Sequence, residues 1–597
     1  MRVLVVIYFA IAICILILAR VFSLSIGENE YYANLSNKNY LKKEYTPPPR
    51  GAIIDRNGVY LAINQIGFRI TVKPHLRTPD TIQDLENIFK MIEKYFPQYS
   101  YKDLEKKYIK EDGIYNHEDI VLVEHIPYDD FFRYYPIFNS NDYIKIKSST
   151  SRFYPYGVVG AHFIGYTGKV SIPDIDKDEN QKYFETIGRS GLEKFYNQQL
   201  QGTLGVKTIK VNSVYEIVGI AGDTPPIAHD INTTVDIRLQ QYIHERFGDQ
   251  AGAVIVMNVH NGEILAGGSF PEFDNNIFVN GISHDDWQKI INDFDHPFTN
   301  KLINGKYPPG SIIKMATAIS LLENGVPADT NVYCTGSMPL GNRNFRCWKT
   351  EGHGSTGFIK AIRESCDDFF YKGSLKIGVD AMHNTLAKFE IGEETGVDQP
   401  NESVGINPNK LWKQKTYKTP WYQGETLVSS IGQGFLTVTP MQIARYTASL
   451  ATGKLVTPHF YKGKKDLKEK QLPIAGGYLA LARQGMFEVT NSAGGTAAGA
   501  VSHSKIKIAG KTGTAQVIGI PQSEKKRMQE HEMEYYQRSH AWLTSFGPYE
   551  KPQYSVTVLV EHGGHGASAA GEITADIYNK LLELGYIDQN STISTTN

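Results

Sequence analysis

The sequence predicts an α+β domain at the C-terminal side of a multi-domain, membrane-anchored chain, and three observations predict it. Strand signals cluster near residue 253 and return between 505 and 560, with a largely helical stretch between, so one sheet must join both ends of the domain. An uncharged apolar run opens the chain. The length, 597 residues, exceeds what one core organises at ~100–200 residues per domain. Composition limits the function classes. Hydrophobic residues make up 41% and charged residues 21%, an ordinary globular balance. Lys and Arg (62) offset Asp and Glu (63), and this absence of a basic excess argues against a nucleic-acid surface. Four cysteines in so long a chain exclude a disulfide scaffold.

Residues 3–19 (VLVVIYFAIAICILILA) form 17 positions without a charge, enough to span a thin or locally adapted bilayer. No small-x-small cleavage site follows Arg20, which favours an uncleaved anchor over a removed signal. With no second such run, the remainder is expected on one side of the membrane. Residues 52–62 (AIIDRNGVYLA) read as strand, Asn-Gly turn, strand. From about 78 to 110, Leu85, Ile88, Phe89 and Ile92 carry helical spacing among many charges, a solvated helical insertion. Residues 253–258, a His-Asn-Gly turn and 263–266 make a hairpin. Strands follow at 505–517, 541–546 and 554–560, and 575–584 reads as a closing helix. The expected organisation is a tip and anchor at 1–27, an N-terminal module at 28–235 with its helical insertion near 75–150, the α+β domain at 236–586, and a disordered polar tail at 587–597.

Pro308-Pro309-Gly310-Ser311-Ile312-Ile313-Lys314 is the most informative segment. It places Ser311 at the start of an apolar helix ending near Asn324-Gly325. Positions i and i+3 share a helix face, so Lys314 is expected to reach the Ser311 hydroxyl, and burial would make its amine a base. Ser502/Lys505, Ser504/Lys507 and Ser523/Lys526 share the Ser-x-x-Lys spacing and read as surface residues. Context separates them. Ser365-Cys366-Asp367 offers a hydroxyl beside a carboxylate between two helical stretches. Lys511-Thr512-Gly513-Thr514 follows an alternating strand, with small residues that admit a substrate backbone and a cation that attracts a carboxylate.

In this order the three segments match the Ser-x-x-Lys, Ser-x-Asn and Lys-Thr-Gly set of serine penicillin-recognising acyl-transferases. Residues 50–58 (RGAIIDRNG), 188–193 (GRSGLE) and 431–434 (IGQG) resemble class B penicillin-binding proteins. Asp367 in place of asparagine, together with Ile-Gly-Gln-Gly, is similar to the elongation type. The resemblance runs from the anchor to about Tyr586. It implies an antiparallel sheet with helices on both sides, preceded by an elongated mixed α/β pedestal. It implies a single-pass protein of the bacterial inner membrane with its catalytic domain in the periplasm, cross-linking peptidoglycan stem peptides and acylated by β-lactams. A RodA-type membrane glycan polymerase and an MreC-type scaffold are the implied partners. Mapped by motif, Ser311 is the nucleophile and Lys314 its base. Ser365 and Asp367 relay a proton to the leaving D-Ala, and Lys511, Thr512 and Thr514 hold the terminal carboxylate across Gly513. The backbone N–H groups of Ser311 and Thr514 form the oxyanion hole. Alternatives are a division-type transpeptidase, a hydrolase, and an activator that stimulates a glycan polymerase through the pedestal.

Cys334, Cys347, His353 and Cys366 cluster within 33 residues at spacings x12, x5 and x12. Three thiolates and an imidazole suit tetrahedral zinc, whereas an oxidising compartment would favour a Cys334–Cys347 disulfide. Elongation-type relatives bear metal ligands in this region, which weights the choice toward zinc; no organic cofactor is implied.

Overall fold

The structure, a computed structural model, describes residues 2–28, 30, 40–211, 217–279, 281–518 and 529–588. The Ser523/Lys526 pair and the tail beyond 588 lie outside the described residues. The helix Arg2–Phe22 buries none of its side chains, and the helical stretch Arg2–Ile26 is long and apolar enough to cross a membrane.

Two compact units follow from the contacts. The first gathers residues up to 51, 170–185 and 198–229 around a three-stranded antiparallel sheet in the order Leu41–Thr46, Gly205–Val211, Ile217–Thr224. The side-chain amides of Gln181 and Gln201 hydrogen-bond reciprocally inside it (3.2 and 2.8 Å).

The second unit takes in 52–169, 186–197 and everything from 230 onward, and among the described residues it holds two five-stranded sheets besides four two-stranded ones. In the first of these, Ile53–Ile54 turns back into Tyr60–Val72 as the sequence predicts. Gly58 adopts a φ of +90°, and the Asp55 carboxylate accepts the N–H groups of Asn57 and Val59 (2.7 and 2.8 Å). Ile120–Pro127 and Ile144–Phe153 flank Tyr60–Val72, and Ile231–Asn232 pairs with Ile53–Ile54. The expected helical insertion contains two helices here, Ile82–Tyr95 and Tyr101–Glu111. Pro97 has no N–H for a continuing helix and biases Phe96 away from helical geometry, and Ser100 starts the second helix by accepting from the Asp103 N–H. Leu85, Ile88, Phe89 and Ile92 are buried, as their spacing requires.

The second five-stranded sheet is antiparallel throughout, with strands β1 (Gly252–Asn258), β2 (Ile264–Phe270), β3 (Ala509–Ala515), β4 (His540–Gly547) and β5 (Tyr554–Val560) in the order β2-β1-β5-β4-β3. Early and late segments therefore share one sheet, and β3 is its edge. Every residue of β5, and all of β4 after His540, is buried, so both faces are covered. Successive β4 side chains identify the covers. Thr544 bonds Thr447 of α5 (Pro440–Thr452) at 2.6 Å, while Ser545 bonds Tyr578 of α7 (Gly566–Glu583) at 3.2 Å. α1 (Ile237–Phe247) packs with α7. α2 (Lys314–Glu323), α3 (Asp367–Lys388), α4 (Gln423–Ser430) and α6 (Gly476–Asn491) complete the helical layer, α6 lying against β3.

Candidate active site

Ser311 emerges from a tight turn rather than from a regular helix start. Gly310 has a φ of +57°, and a Cβ there would come within 2.8 Å of the Thr514 carbonyl oxygen. Residues Gly310–Ile313 form one 3₁₀ turn that runs directly into α2, which ends at Asn324 and Gly325 as expected. In a 3₁₀ turn side chains at i and i+3 eclipse, which places Lys314 in line with Ser311.

The Lys314 ammonium nonetheless has other partners. It is fully buried and donates to the Ser365 carbonyl oxygen (2.8 Å), Ser365 Oγ (3.1 Å) and Asp367 Oδ1 (2.7 Å). All three of its protons are engaged, so the expected Lys314–Ser311 bond is replaced by bonds to the second motif. Spacing along one helix reported the shared face but not the competing acceptors that the fold brings in.

Ser365 has a φ of +54°, a strained conformation for a residue with a side chain. The strain turns its hydroxyl between two lysines, because Lys511 of β3 also donates to Ser365 Oγ (3.1 Å). With both lone pairs occupied, the Ser365 proton is directed away from the lysines. Asp367 opens α3, where the helix dipole favours a carboxylate. Its Oδ2 accepts the Trp348 backbone N–H (3.0 Å). Burial pushes the Asp367 carboxyl above its ordinary range against the pull of Lys314. Burial, reinforced by the Lys314 charge, pushes the Lys511 amine well below its ordinary value.

On β3, Lys511 also donates to the Thr512 carbonyl (3.0 Å), and Thr512 Oγ1 shares a 2.7 Å hydrogen bond with Thr496 Oγ1. Gly513 needs its missing side chain, since a Cβ would meet the Pro309 carbonyl oxygen at 2.9 Å. Thr514 is half-buried, and its carbonyl accepts from Gln433 Nε2 (3.0 Å). Gly432, in the same loop as Gln433, accepts the Gly310 N–H (2.8 Å). The structure therefore brings Ser311, Lys314, Ser365, Asp367 and the Lys511–Thr514 strand together. Thr496 was not a sequence candidate, and no motif marks it. Of the other Ser-x-x-Lys pairs, Ser502 bonds the Gly499 carbonyl; Ser504, expected at the surface, is buried on the Ile506 carbonyl.

Beside the second motif, Cys334, Cys347, His353 and Cys366 are all buried, with their ligand atoms within 4.8 Å of one another. The three cysteines are free thiols, with Cys334 and Cys347 not bridged to each other. His353 Nδ1 lies 3.6 Å from Cys334 Sγ and 3.5 Å from Cys347 Sγ. A tetrahedral site with Zn–S of ~2.3 Å and Zn–N of ~2.0 Å has an N–S edge of about 3.5 Å, so the donor set could hold a metal ion. The buried His353 Nε2 has no hydrogen-bond partner among the described residues, leaving Nδ1 as the atom turned to the sulfurs. The cluster also touches the site, since Cys347 Sγ accepts the Asp367 N–H (3.4 Å).

A serine at the mouth of a buried helix, two lysines converging on a second serine, and a Lys-Thr-Gly edge strand define a serine acyl-transferase. Comparison with known proteins agrees. Residues 252–583 match the penicillin-binding protein transpeptidase domain, and residues 45–229 match the penicillin-binding protein dimerisation domain. The peptidoglycan D,D-transpeptidase MrdA of Haemophilus influenzae is 32% identical over 590 residues, covering 94% of this chain and 88% of the relative. The structure of penicillin-binding protein PBP2 in complex with MreC from Helicobacter pylori has a TM-score of 0.81 at 40% identity, covering 92% of this chain and 99% of that one. A structure described as the structural coordination of polymerization and crosslinking by a peptidoglycan synthase complex has a TM-score of 0.70 at 26% identity, covering 98% of each chain. The chain belongs to the penicillin-binding protein transpeptidase family.

Proposed function

We propose that the protein is the peptidoglycan D,D-transpeptidase of cell elongation and shape maintenance, acting through an acyl-enzyme on Ser311. The observation that carries this reading is the meeting of three distant segments at Ser365 Oγ, where Lys314 and Lys511 arrive from 51 and 146 residues away. Ser311 attacks the penultimate D-Ala carbonyl of a donor stem peptide, and its proton passes to the Lys314 amine. Asp367 Oδ1, 2.7 Å from Lys314, is placed to take the proton that Lys314 must give up before it can act as a base. Ser365 hands its outward proton to the departing D-Ala nitrogen and is reprotonated by Lys314, which gives up the proton it took from Ser311. Lys511, Thr512 and Thr514 receive the terminal carboxylate, and the Ser311 and Thr514 N–H groups face the oxyanion; losing one such donor costs ~2.7–4 kcal/mol of barrier in other enzymes. An acceptor amine then attacks the ester and frees Ser311.

Intact mass of the full chain in detergent after adding a penicillin tests this directly, beside Ser311→Ala. One stable adduct on the native protein and none on the variant is the expected result. An adduct that persists on the variant moves the nucleophile elsewhere, and one that decays with drug turnover makes the protein a hydrolase.

Zinc is the metal we assign to Cys334, Cys347, His353 and Cys366, since thiolates and imidazole are its preferred ligands. It would supply a structural cross-link behind the second motif. The apolar N-terminal helix would anchor the protein in the bacterial inner membrane, with the catalytic domain in the periplasm. Residues 28–235 would serve as the pedestal for an MreC-type scaffold and a RodA-type glycan polymerase. The support is the family match over 45–229 and the assemblies in which the similar structures occur.

A further inference from the structure

We propose that Lys301, Glu561 and Tyr307 form a buried strut that sets the position of the nucleophile, with Tyr307 and Glu561 as positioning residues for acylation. This rests on Ser311 being the nucleophile. Residues 307–309 lie outside the helices and strands, yet they lead directly into the 3₁₀ turn that carries Ser311. It is pinned to the rest of the fold at a few points. Tyr307 exchanges two backbone hydrogen bonds with Val438 (2.9 Å each), Trp542 Nε1 donates to the Pro308 carbonyl (3.3 Å), and the Gly310 N–H reaches the Gly432 carbonyl.

The link to a charged group is different in kind. The Tyr307 hydroxyl donates to Glu561 Oε1 at 2.5 Å, in the short range of charge-assisted O–H···O⁻ bonds. Glu561 follows β5 directly, and its own N–H is bonded to the Ala251 carbonyl (2.8 Å). Its Oε2 takes Lys301 Nζ (3.1 Å). Lys301 is 2% exposed, and it also donates to the carbonyls of Phe270 (2.6 Å) and Asp295 (2.5 Å). The carboxylate therefore cannot turn without leaving a buried charge unpaired. Burial and the Glu561 charge raise the Tyr307 phenol well above its ordinary value, which keeps it a donor.

The strut reaches the chemistry through close packing. The Tyr307 ring meets His540 and Trp542 edge-on (5.4 and 6.1 Å), the β4 residues in register with Ala515 and Gly513. A Cβ on Gly310 would lie 2.8 Å from the Thr514 oxygen, and one on Gly513 would lie 2.9 Å from the Pro309 oxygen. A small tilt of residues 307–310 thus changes the gap between Ser311 and Thr514, on which both attack and oxyanion binding depend.

The test uses the full chain in detergent as native protein, Tyr307→Phe, Glu561→Gln and the double variant. Acylation is followed against penicillin concentration, so that the encounter dissociation constant and the first-order acylation constant separate. Tyr307→Phe keeps the ring; it should lower the acylation constant by about tenfold or more and leave the dissociation constant within about threefold, the signature of misplacement rather than lost binding. The double variant should be no slower than the slower single, because both changes act through the one Tyr307–Glu561 contact, whose charge assistance Glu561→Gln removes. An acylation constant within about twofold of native, a dissociation constant that rises in step, or losses that multiply would each overturn the strut. Native protein that takes up no penicillin would overturn the transferase reading and the strut together; failure confined to the variants' pattern overturns the strut alone.

Discussion

Ser365 holds a conformation that costs a serine about 1–3 kcal/mol, and the residues around it keep it there. Its carbonyl and hydroxyl both receive Lys314, and the next residue, Cys366, belongs to the thiol cluster. Removing that support should loosen the motif. Cys366→Ala is expected to lose bound metal, lower the melting temperature by about 5 °C or more, and slow penicillin acylation, given ~2–4 °C per kcal/mol in larger domains. Metal analysis of pure protein checks the premise: one zinc per chain is expected, and none, with Cys334 and Cys347 oxidised together, would sink it. Gly432 is a second fixed point. With a φ of +78° and a Cβ position 2.1 Å from the Gly310 oxygen, Gly432→Ala should destabilise by roughly 1–3 kcal/mol and abolish acylation, read by denaturant titration and mass. The three motifs were legible because their residues are chemically distinctive and ordered along the chain. Thr496, Tyr307 and Glu561 were not, because they act through tertiary contacts that no spacing encodes.

Among elements, α1 is clasped from one side by an ion pair. His244 Nδ1 lies 2.6 Å from Glu272 Oε2, and Glu272 Oε1 accepts the Gly160 N–H (2.7 Å). The bond to Glu272 raises the His244 pKa above its ordinary value, and burial raises that of Glu272 despite His244. Both shifts mean that the folded state binds more protons than the unfolded one, so stability falls as pH rises. The His244 contribution is fully present below about 6.5 and is lost as pH climbs through the raised value. Urea unfolding from pH 6 to 9 should therefore show a decline that His244→Asn flattens; parallel curves would remove His244 as the cause. Element type was readable from periodicity, and the late strands of the sheet fell close to where alternation put them. Pro97 divides the helical insertion expected between 78 and 110 into two helices, a break that apolar spacing alone does not report.

At the scale of the molecule, the N-terminal helical stretch Arg2–Ile26 is long and apolar enough to cross a membrane. The full chain should stay with membranes after carbonate washing, and a chain lacking residues 2–26 should not; retention of the truncated chain would assign the attachment to another surface. That one sheet unites residues 252–270 with 509–560 was legible, since strands at both ends of a helical stretch have no other way to be buried. The two-unit division was not, because the first unit is stitched from three stretches that are separate along the chain. The edge position of β3 has a consequence for inhibition. Among the described residues no strand pairs with its outer side, and an extended ligand laid there would be read by main-chain N–H and C=O groups. Side-chain mutations leave those groups where they are. Substitutions that defeat an inhibitor bound along β3 must then act at a distance, by shifting the strand or the turn that faces it, and so put turnover of the natural peptide at the same risk.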